Sequence, residues 1–279
     1  MLAVAQSEVI KAADGTLIYV RFWPASKAKG QILLAHGHGE HSGRYEYVAQ
    51  RLNAQGWDVI APDHRGHGKS EGVRGHTPRW SDYVDDLHRA AQRFGRPELP
   101  RAILGHSMGG LIAVSYALTH GDSLRALVLT GPLLKLALPV PLVKALVGRI
   151  FSNLVPALSL PTGLDSKAVS RDADVVAAYE QDQLVHDKAS SRWFTEMLAA
   201  MEAAHAGAAS LPMPVLVFHG EADRLTHIEG SRTFCTGLTH PDSRFQGWTE
   251  CYHEIMNEPE KEQVLDEIIA WLAPHMKRK

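Results

Sequence analysis

Gly105-His106-Ser107-Met108-Gly109-Gly110 decides the reading of this 279-residue chain. Residues 103–104 lead into it as a short buried strand, and 111–119 lead out as a helix. A serine at the apex of strand, sharp turn and helix is forced into a strained backbone conformation. Glycines on either side leave room where side chains would collide with the neighbouring strand and helix. The product is an exposed, aimed hydroxyl. Gly-x-Ser-x-Gly alone is expected by chance in roughly one chain in ten of this length, so the flanking strand and helix carry the weight. A base, an orienting acid and an oxyanion hole must come from elsewhere in the chain.

Upstream of this turn, residues 9–11 and 17–23 flank Asp14-Gly15, a hairpin signal that predicts an antiparallel edge pair. Residues 31–35 form a short apolar strand ending in His36-Gly37-His38-Gly39-Glu40-His41. A helix over 45–55 with Val48 and Leu52 inward, a buried strand over 58–61 and a helix over 81–94 follow, and a strand over 126–129 succeeds the central helix. Alternation of helices with continuously apolar strands predicts an α/β fold, a mostly parallel central sheet with helices on both faces. The alternation breaks at Gly131-Pro132. From there to about Pro212 no strand is predicted, only helices over 143–151, 173–183 and 192–208, so 132–212 reads as a helical cap inserted into a core made of 1–131 and 213–279. The sheet resumes over 214–218, with a helix over 228–237, a last strand over 243–246 and a closing helix over 260–272.

With 29 Lys and Arg against 31 Asp and Glu, the net charge is -2, and nothing electrostatic points to nucleic acid. At 45% hydrophobic content the chain can bury a full core. Two cysteines, Cys235 and Cys251, make no disulfide framework. MLAVAQSEVIKAADG lacks a basic n-region and a useful apolar h-region, so the expected location is cytoplasmic. No apolar run approaches the length of a membrane span. Lys277-Arg278-Lys279 reads as a solvated tail.

In an α/β sheet, functional groups collect at the carboxyl ends of the strands. Asp223 lies just past the strand at 214–218, and His253 follows the last strand, so both belong on the rim that carries Ser107. The order Ser, Asp, His is the one this architecture uses. The expected roles are Ser107 as nucleophile, His253 as base and then acid, and Asp223 as the group that fixes the imidazole tautomer. Asp242 also falls in the interval, but before the final strand, at the wrong edge. Two oxyanion donors are expected, the backbone N–H of Met108 and that of His38 in the glycine turn after the third strand. Sixteen histidines invite a metal reading as well. His36, His38, His41, His64 and His67 have spacing like that of dinuclear zinc hydrolases, but Glu40 stands where those use aspartate, and zinc leaves the Ser107 turn unexplained. Backbone hydrogen bonds shaping the rim loops are the expected use of these rings, with no metal and no cofactor.

The residues from His36 to Tyr45, from Asp63 to Ser70, from Gly105 to Gly110, and His253-Glu254 with Asn257-Glu258 resemble the monoacylglycerol lipase and lysophospholipase branch of the α/β-hydrolases. Ser170-Arg171-Asp172 and Asp182-Gln183-Leu184-Val185 resemble that branch's cap, although proline is usual where Gln183 stands. His227-Ile228-Glu229-Gly230 departs from the aspartate or proline often found there. The resemblance implies the same triad, Ser107, Asp223 and His253, with His38 and Met108 as oxyanion donors. It also implies a substrate, an ester of one fatty acyl chain with a polar alcohol.

Ten apolar residues, Leu133, Leu134, Leu136, Leu138, Val140, Leu142, Val143, Leu146, Val147 and Ile150, give the cap's first half more apolar surface than a small helix needs. Lining an acyl tunnel and touching a membrane or micelle transiently are the functional uses of that surface. Glu40 and Arg44 are expected to meet the polar end of the substrate. The expected activity is hydrolysis of monoacylglycerols through an acyl-enzyme. A lysophospholipase is the alternative, and a non-catalytic binding module on the same fold is the remote one; oligomeric state is left open.

Overall fold

The computed structural model describes residues 5–137 and 142–277, for 142–147 as backbone alone. Leu138, Val140, Arg278 and Lys279 lie outside the described residues. So do the side chains of Leu142, Val143, Leu146 and Val147.

In chain order the elements are β1 (Gln6–Lys11), β2 (Leu17–Trp23), β3 (Gly30–Ala35), α1 (Glu46–Asn53), β4 (Trp57–Pro62), α2 (Trp80–Phe94), β5 (Arg101–His106), α3 (Met108–His120) and β6 (Ala126–Thr130). They continue with α4 (Leu142–Leu154), β7 (Ser159–Pro161), α5 (Ala173–Gln181), β8 (Lys188–Ser190), α6 (Ser191–Gly207), β9 (Val215–Gly220), α7 (Ile228–Thr236), β10 (Arg244–Trp248) and α8 (Lys261–His275). Eight strands form one sheet in the order β1-β2-β4-β3-β5-β6-β9-β10. β1 and β2 pair antiparallel, as do β2 and β4, and the other five pairings are parallel.

β3, β4 and β9 are buried at every position, the burial expected of central strands covered on both faces. Alternation sends Leu33, Ile103, Leu127 and Val217 to one face, under α2, α3, α6 and α7. Ile32, Leu104, Val128 and Phe218 go to the other, under α1 and α8. The fold is that of an α/β-hydrolase, with β5 central and its carboxyl end leading into the Ser107 turn.

One feature departs from the sequence reading. β7 and β8 pair antiparallel, Ser159 against Ser190, in the segment where no strand is predicted. Three-residue strands are too short for any periodicity to register. Within the 132–212 segment, α6 also packs against core helices. Trp193, Met197, Ala200 and Ala204 on α6 are buried in the same apolar cluster as α2 and α3, at the i, i+4, i+7, i+11 spacing of one helix face. α6 therefore packs on α2 and α3 as well as on α4.

Candidate active site

The serine turn has the strain its sequence requires. Ser107 sits at φ 54° and ψ -120°, one of two non-glycine residues with positive φ among those described, and such a conformation costs about 1–3 kcal/mol unless the surroundings hold it. Here they do. Its N–H donates to the Thr130 carbonyl at 3.0 Å, and its own carbonyl accepts from Leu133 at 2.9 Å. Gly109 cannot be replaced without a clash, because a Cβ there would fall inside the radius of the Ala35 carbonyl oxygen.

The two distant groups meet this hydroxyl. His253 Nε2 lies 2.9 Å from Ser107 Oγ, and His253 Nδ1 lies 2.7 Å from Asp223 Oδ2. Ser107 is 9% exposed and His253 5%, so the line of three groups is nearly dry. The second Asp223 oxygen accepts from the N–H groups of Leu225 and Thr226 at 2.8 and 3.0 Å. Thr226 Oγ1 and His219 Nε2 approach Oδ2 at 2.8 and 3.3 Å. Burial opposes ionisation of Asp223, but the charge of His253 and hydrogen bonds from His219 and His253 outweigh it and hold the carboxyl well below the usual carboxylate range. For His253, burial works against the charged form, and Asp223, with Glu254 and Glu40 behind it, more than compensates, raising its pKa above the ordinary histidine value. Asp242 lies exposed before β10, bonded through its N–H to His240 Nδ1.

The glycine turn after β3 packs directly on the serine. A Cβ on Gly37 would lie 3.2 Å from Ser107 Cβ and 3.3 Å from the His106 ring. The peptide that carries the His38 N–H is pinned from behind: His36 Nδ1 donates to its carbonyl, Gly37 O, at 2.8 Å, while His36 Nε2 accepts from the His64 N–H at 2.9 Å. These two bonds fix the tautomer of a ring that burial keeps neutral. Among the described residues, neither the His38 nor the Met108 N–H has a partner in the protein. Of the other rim histidines, three bind protein groups, while neither ring nitrogen of His64 has a hydrogen-bond partner among the described residues. His38 Nε2 contacts the Lys188 carbonyl at 3.0 Å, His67 Nδ1 that of Arg65 at 3.0 Å, and His41 Nε2 the Asp182 carboxylate at 2.8 Å.

Glu40 and Arg44 are not free ends awaiting a headgroup. Glu40 reaches the cavity wall, but its oxygens accept from the Gly37 N–H, Tyr45 Oη and Arg44 Nη1, each at 2.6 Å. Arg44 continues to Glu254 through Nη1 and Nη2 at 2.6 and 2.7 Å. Sequence reasoning missed the supporting residues: His106, whose ring stands 4.7 Å from that of His253, Thr226 and His219. Nothing in their local sequence marks them, because what they do is set by packing between strands.

Above the three groups lies a cavity of about 790 Å³ lined by Ser107, His253, Leu133, Leu136, Phe194 and Met197 among others. Its mouth is apolar as well. Phe151, Leu158, Leu160 and Leu164 line it while remaining 44–61% exposed. Of the expected cap residues, Leu133 and Leu134 are buried in the core, and Ile150 is half exposed. No described helix is long and apolar enough to cross a membrane.

Residues 26–260 match the family described as serine aminopeptidase, S33. The monoacylglycerol lipase of Mycolicibacterium smegmatis is 38% identical, over 99% of this chain and 100% of its own length. Phospholipase YtpA of Bacillus subtilis is 30% identical, over 87% of this chain and 94% of its own. The crystal structure of Paleococcus ferrophilus monoacylglycerol lipase superposes with a TM-score of 0.86 at 35% identity, covering 92% of this chain and 99% of that one. With its sheet order, its serine turn and this match over nearly its whole length, the chain belongs to the monoacylglycerol lipase branch of the α/β-hydrolases and is a serine ester hydrolase.

Proposed function

We propose that the chain hydrolyses monoacylglycerols, releasing the fatty acid through an acyl-enzyme on Ser107. The observation that carries this reading is the unbroken line from Ser107 Oγ through His253 to Asp223, set at the floor of an apolar cavity. His253 Nε2 takes the Ser107 proton as Oγ attacks the ester carbon. The developing oxyanion is held by the N–H groups of His38 and Met108. The imidazolium, steadied by Asp223, then protonates the departing glycerol oxygen as the carbon–oxygen bond breaks. Water enters, gives its proton to His253 and attacks the acyl carbon. The tetrahedral intermediate collapses, Ser107 recovers the proton and the fatty acid leaves. No cofactor is needed, since the chain supplies every donor and acceptor in the sequence.

The cavity suits one acyl chain, and the exposed apolar rim from Phe151 to Leu164 suits transient contact with a membrane or micelle, from which such a lipid is taken. A lysophospholipase with the same machinery is the second reading, supported by the resemblance to a phospholipase. The test is the initial rate of fatty-acid release from a monoacylglycerol and a lysophosphatidylcholine of equal chain length, with Ser107→Ala alongside. A strong preference for the glyceride, abolished in the variant, is expected. Preference for the lysophospholipid moves the substrate to the second reading, and activity surviving in Ser107→Ala removes the mechanism.

A further inference from the structure

The oxyanion turn follows β3 and the base follows β10, and three strands, β5, β6 and β9, lie between them in the sheet, so backbone pairing alone does not set one against the other. Side chains cross the gap. Glu40 holds the Gly37 N–H from the turn, Arg44 binds Glu40 at one edge and grips Glu254 with both terminal nitrogens, and Glu254 is the residue after His253. Tyr45 and Asn257 complete the carboxylates, at 2.6 Å to Glu40 and 2.8 Å to Glu254. The cap closes over the top: the Arg44 guanidinium lies 4.8 Å from the centroid of the Tyr179 ring. Glu40 and Glu254 are 3% and 5% exposed, so water does not screen the group. Two carboxylates against one guanidinium leave an excess of one negative charge beside the base.

Resting on the ester-hydrolase reading above, we propose that Glu40, Arg44 and Glu254 form a positioning bridge that holds the oxyanion turn and the base loop in register and sets an unscreened negative charge toward the imidazolium of His253. None of the three needs to touch the substrate. A turn displaced by a fraction of an ångström aims the His38 N–H away from the oxyanion, which costs turnover more than binding. The charge favours the proton on His253, adding to Asp223 from the loop after β9. Against it stand Arg44 itself and the His106 ring from β5, and the latter is held neutral with its pKa pushed down to about 4 by burial and the neighbouring His253. His219 approaches, at 3.3 Å, the same Asp223 oxygen that His253 binds.

The test uses Arg44→Ala, Arg44→Lys and Glu254→Gln beside the wild type and Ser107→Ala. The substrate is a short-chain monoacylglycerol kept below its micelle concentration, and active sites are counted with a fluorophosphonate. Per counted site, Arg44→Ala is expected to lose about ten- to a hundredfold in kcat with KM within about threefold, and Arg44→Lys, which keeps the charge but not the fork, to recover part of it. Glu254→Gln is expected to move the acid limb of kcat/KM down by about half a pH unit or more. A rise in KM at unchanged kcat would make Arg44 a substrate contact and overturn the bridge; so would an acid limb that stays in place in Glu254→Gln. If Arg44→Ala yields no countable sites, Glu254→Gln, nearly the same size, decides alone. A wild type that releases no fatty acid, or an active Ser107→Ala, defeats the hydrolase reading instead.

Discussion

Asp223 receives four kinds of donor, the imidazole of His253, the hydroxyl of Thr226, two backbone N–H groups and the ring of His219. Changing it to asparagine keeps the size and most of the bonds, but presents an amide where His253 Nδ1 needs an acceptor. Asp223→Asn should therefore fold normally and lose turnover by about three to four orders of magnitude, as the imidazole is held in the wrong tautomer. Steady-state kinetics with a thermal melt checks this, and full activity in the variant would mean that another acid serves. How far single residues were legible follows from the same contacts. Ser107, Asp223 and His253 could be found from chain order and strand ends alone, because each is placed by a local backbone feature. Thr226, His219 and His106 could not, since their roles exist only once β5, β6 and β9 lie side by side. Cys251 shows the converse. Although it lies two residues from His253 in sequence, the side chain is fully buried and its thiol is pushed up to about 12, first by burial and then by Glu260 and Glu258. It has little thiolate to react.

At the scale of elements, the sheet was readable because its central strands are short apolar runs separated by helices of regular period, and every predicted strand appears, with ends that match or move by no more than a few residues. The segment between β6 and β9 was harder. Its prolines and its three-residue strands β7 and β8 carry no period, and the buried contacts of Trp193 and Met197 on α6 with α2 and α3 are set by packing rather than by sequence. Part of what the segment exposes is apolar. Leu154, at the end of α4, is 73% exposed and is not part of the cavity lining. Burying a leucine is worth about 1.5–3 kcal/mol, so partial insertion of Leu154 into a lipid surface would be felt as a several-fold change in partitioning. Leu154→Gln is expected to weaken vesicle co-sedimentation and slow hydrolysis of aggregated lipid several-fold, while turnover of a monomeric short ester is unchanged. Equal loss on both substrates would count against a surface-docking role.

Across the whole molecule, six imidazoles, those of His253, His36, His38, His64, His67 and His106, fall into two sets that titrate on opposite sides of the ordinary histidine value of about 6.5. His253 is raised, so, with His253 as the proposed base, activity should fall on the acid side through a midpoint above the ordinary histidine value. His36, His64 and His67 are lowered by burial first, and then His36 by His41, His64 by His36, and His67 by His38 and His36. His38 is brought down to about 3 by burial and by His186, and His106 to about 4 by burial and by His253. For this second set the unfolded chain binds protons that the folded chain refuses. Their contribution to stability is therefore present above about pH 6.5 and lost as pH falls toward the folded values. At pH 5, His38 and His106 alone cost about 2 kcal/mol each, or about 4 kcal/mol together. That is a large share of the roughly 5–15 kcal/mol typical of a folded domain. His253 offsets part of this, since a raised pKa stabilises at low pH and the gain is lost as pH rises through its folded value. The expected outcome is two separable acid transitions. Near pH 6 turnover should be depressed while the thermal midpoint is nearly intact, and activity should return at once on neutralising. Toward pH 5 the thermal midpoint should drop steeply, with a net uptake of protons on unfolding measurable by calorimetry in buffers of different ionisation enthalpy. A thermal midpoint that stays level from pH 7 to 5 would mean that these rings are hydrated or charged in the folded protein, and that the rim loops are not held together by neutral, buried histidines.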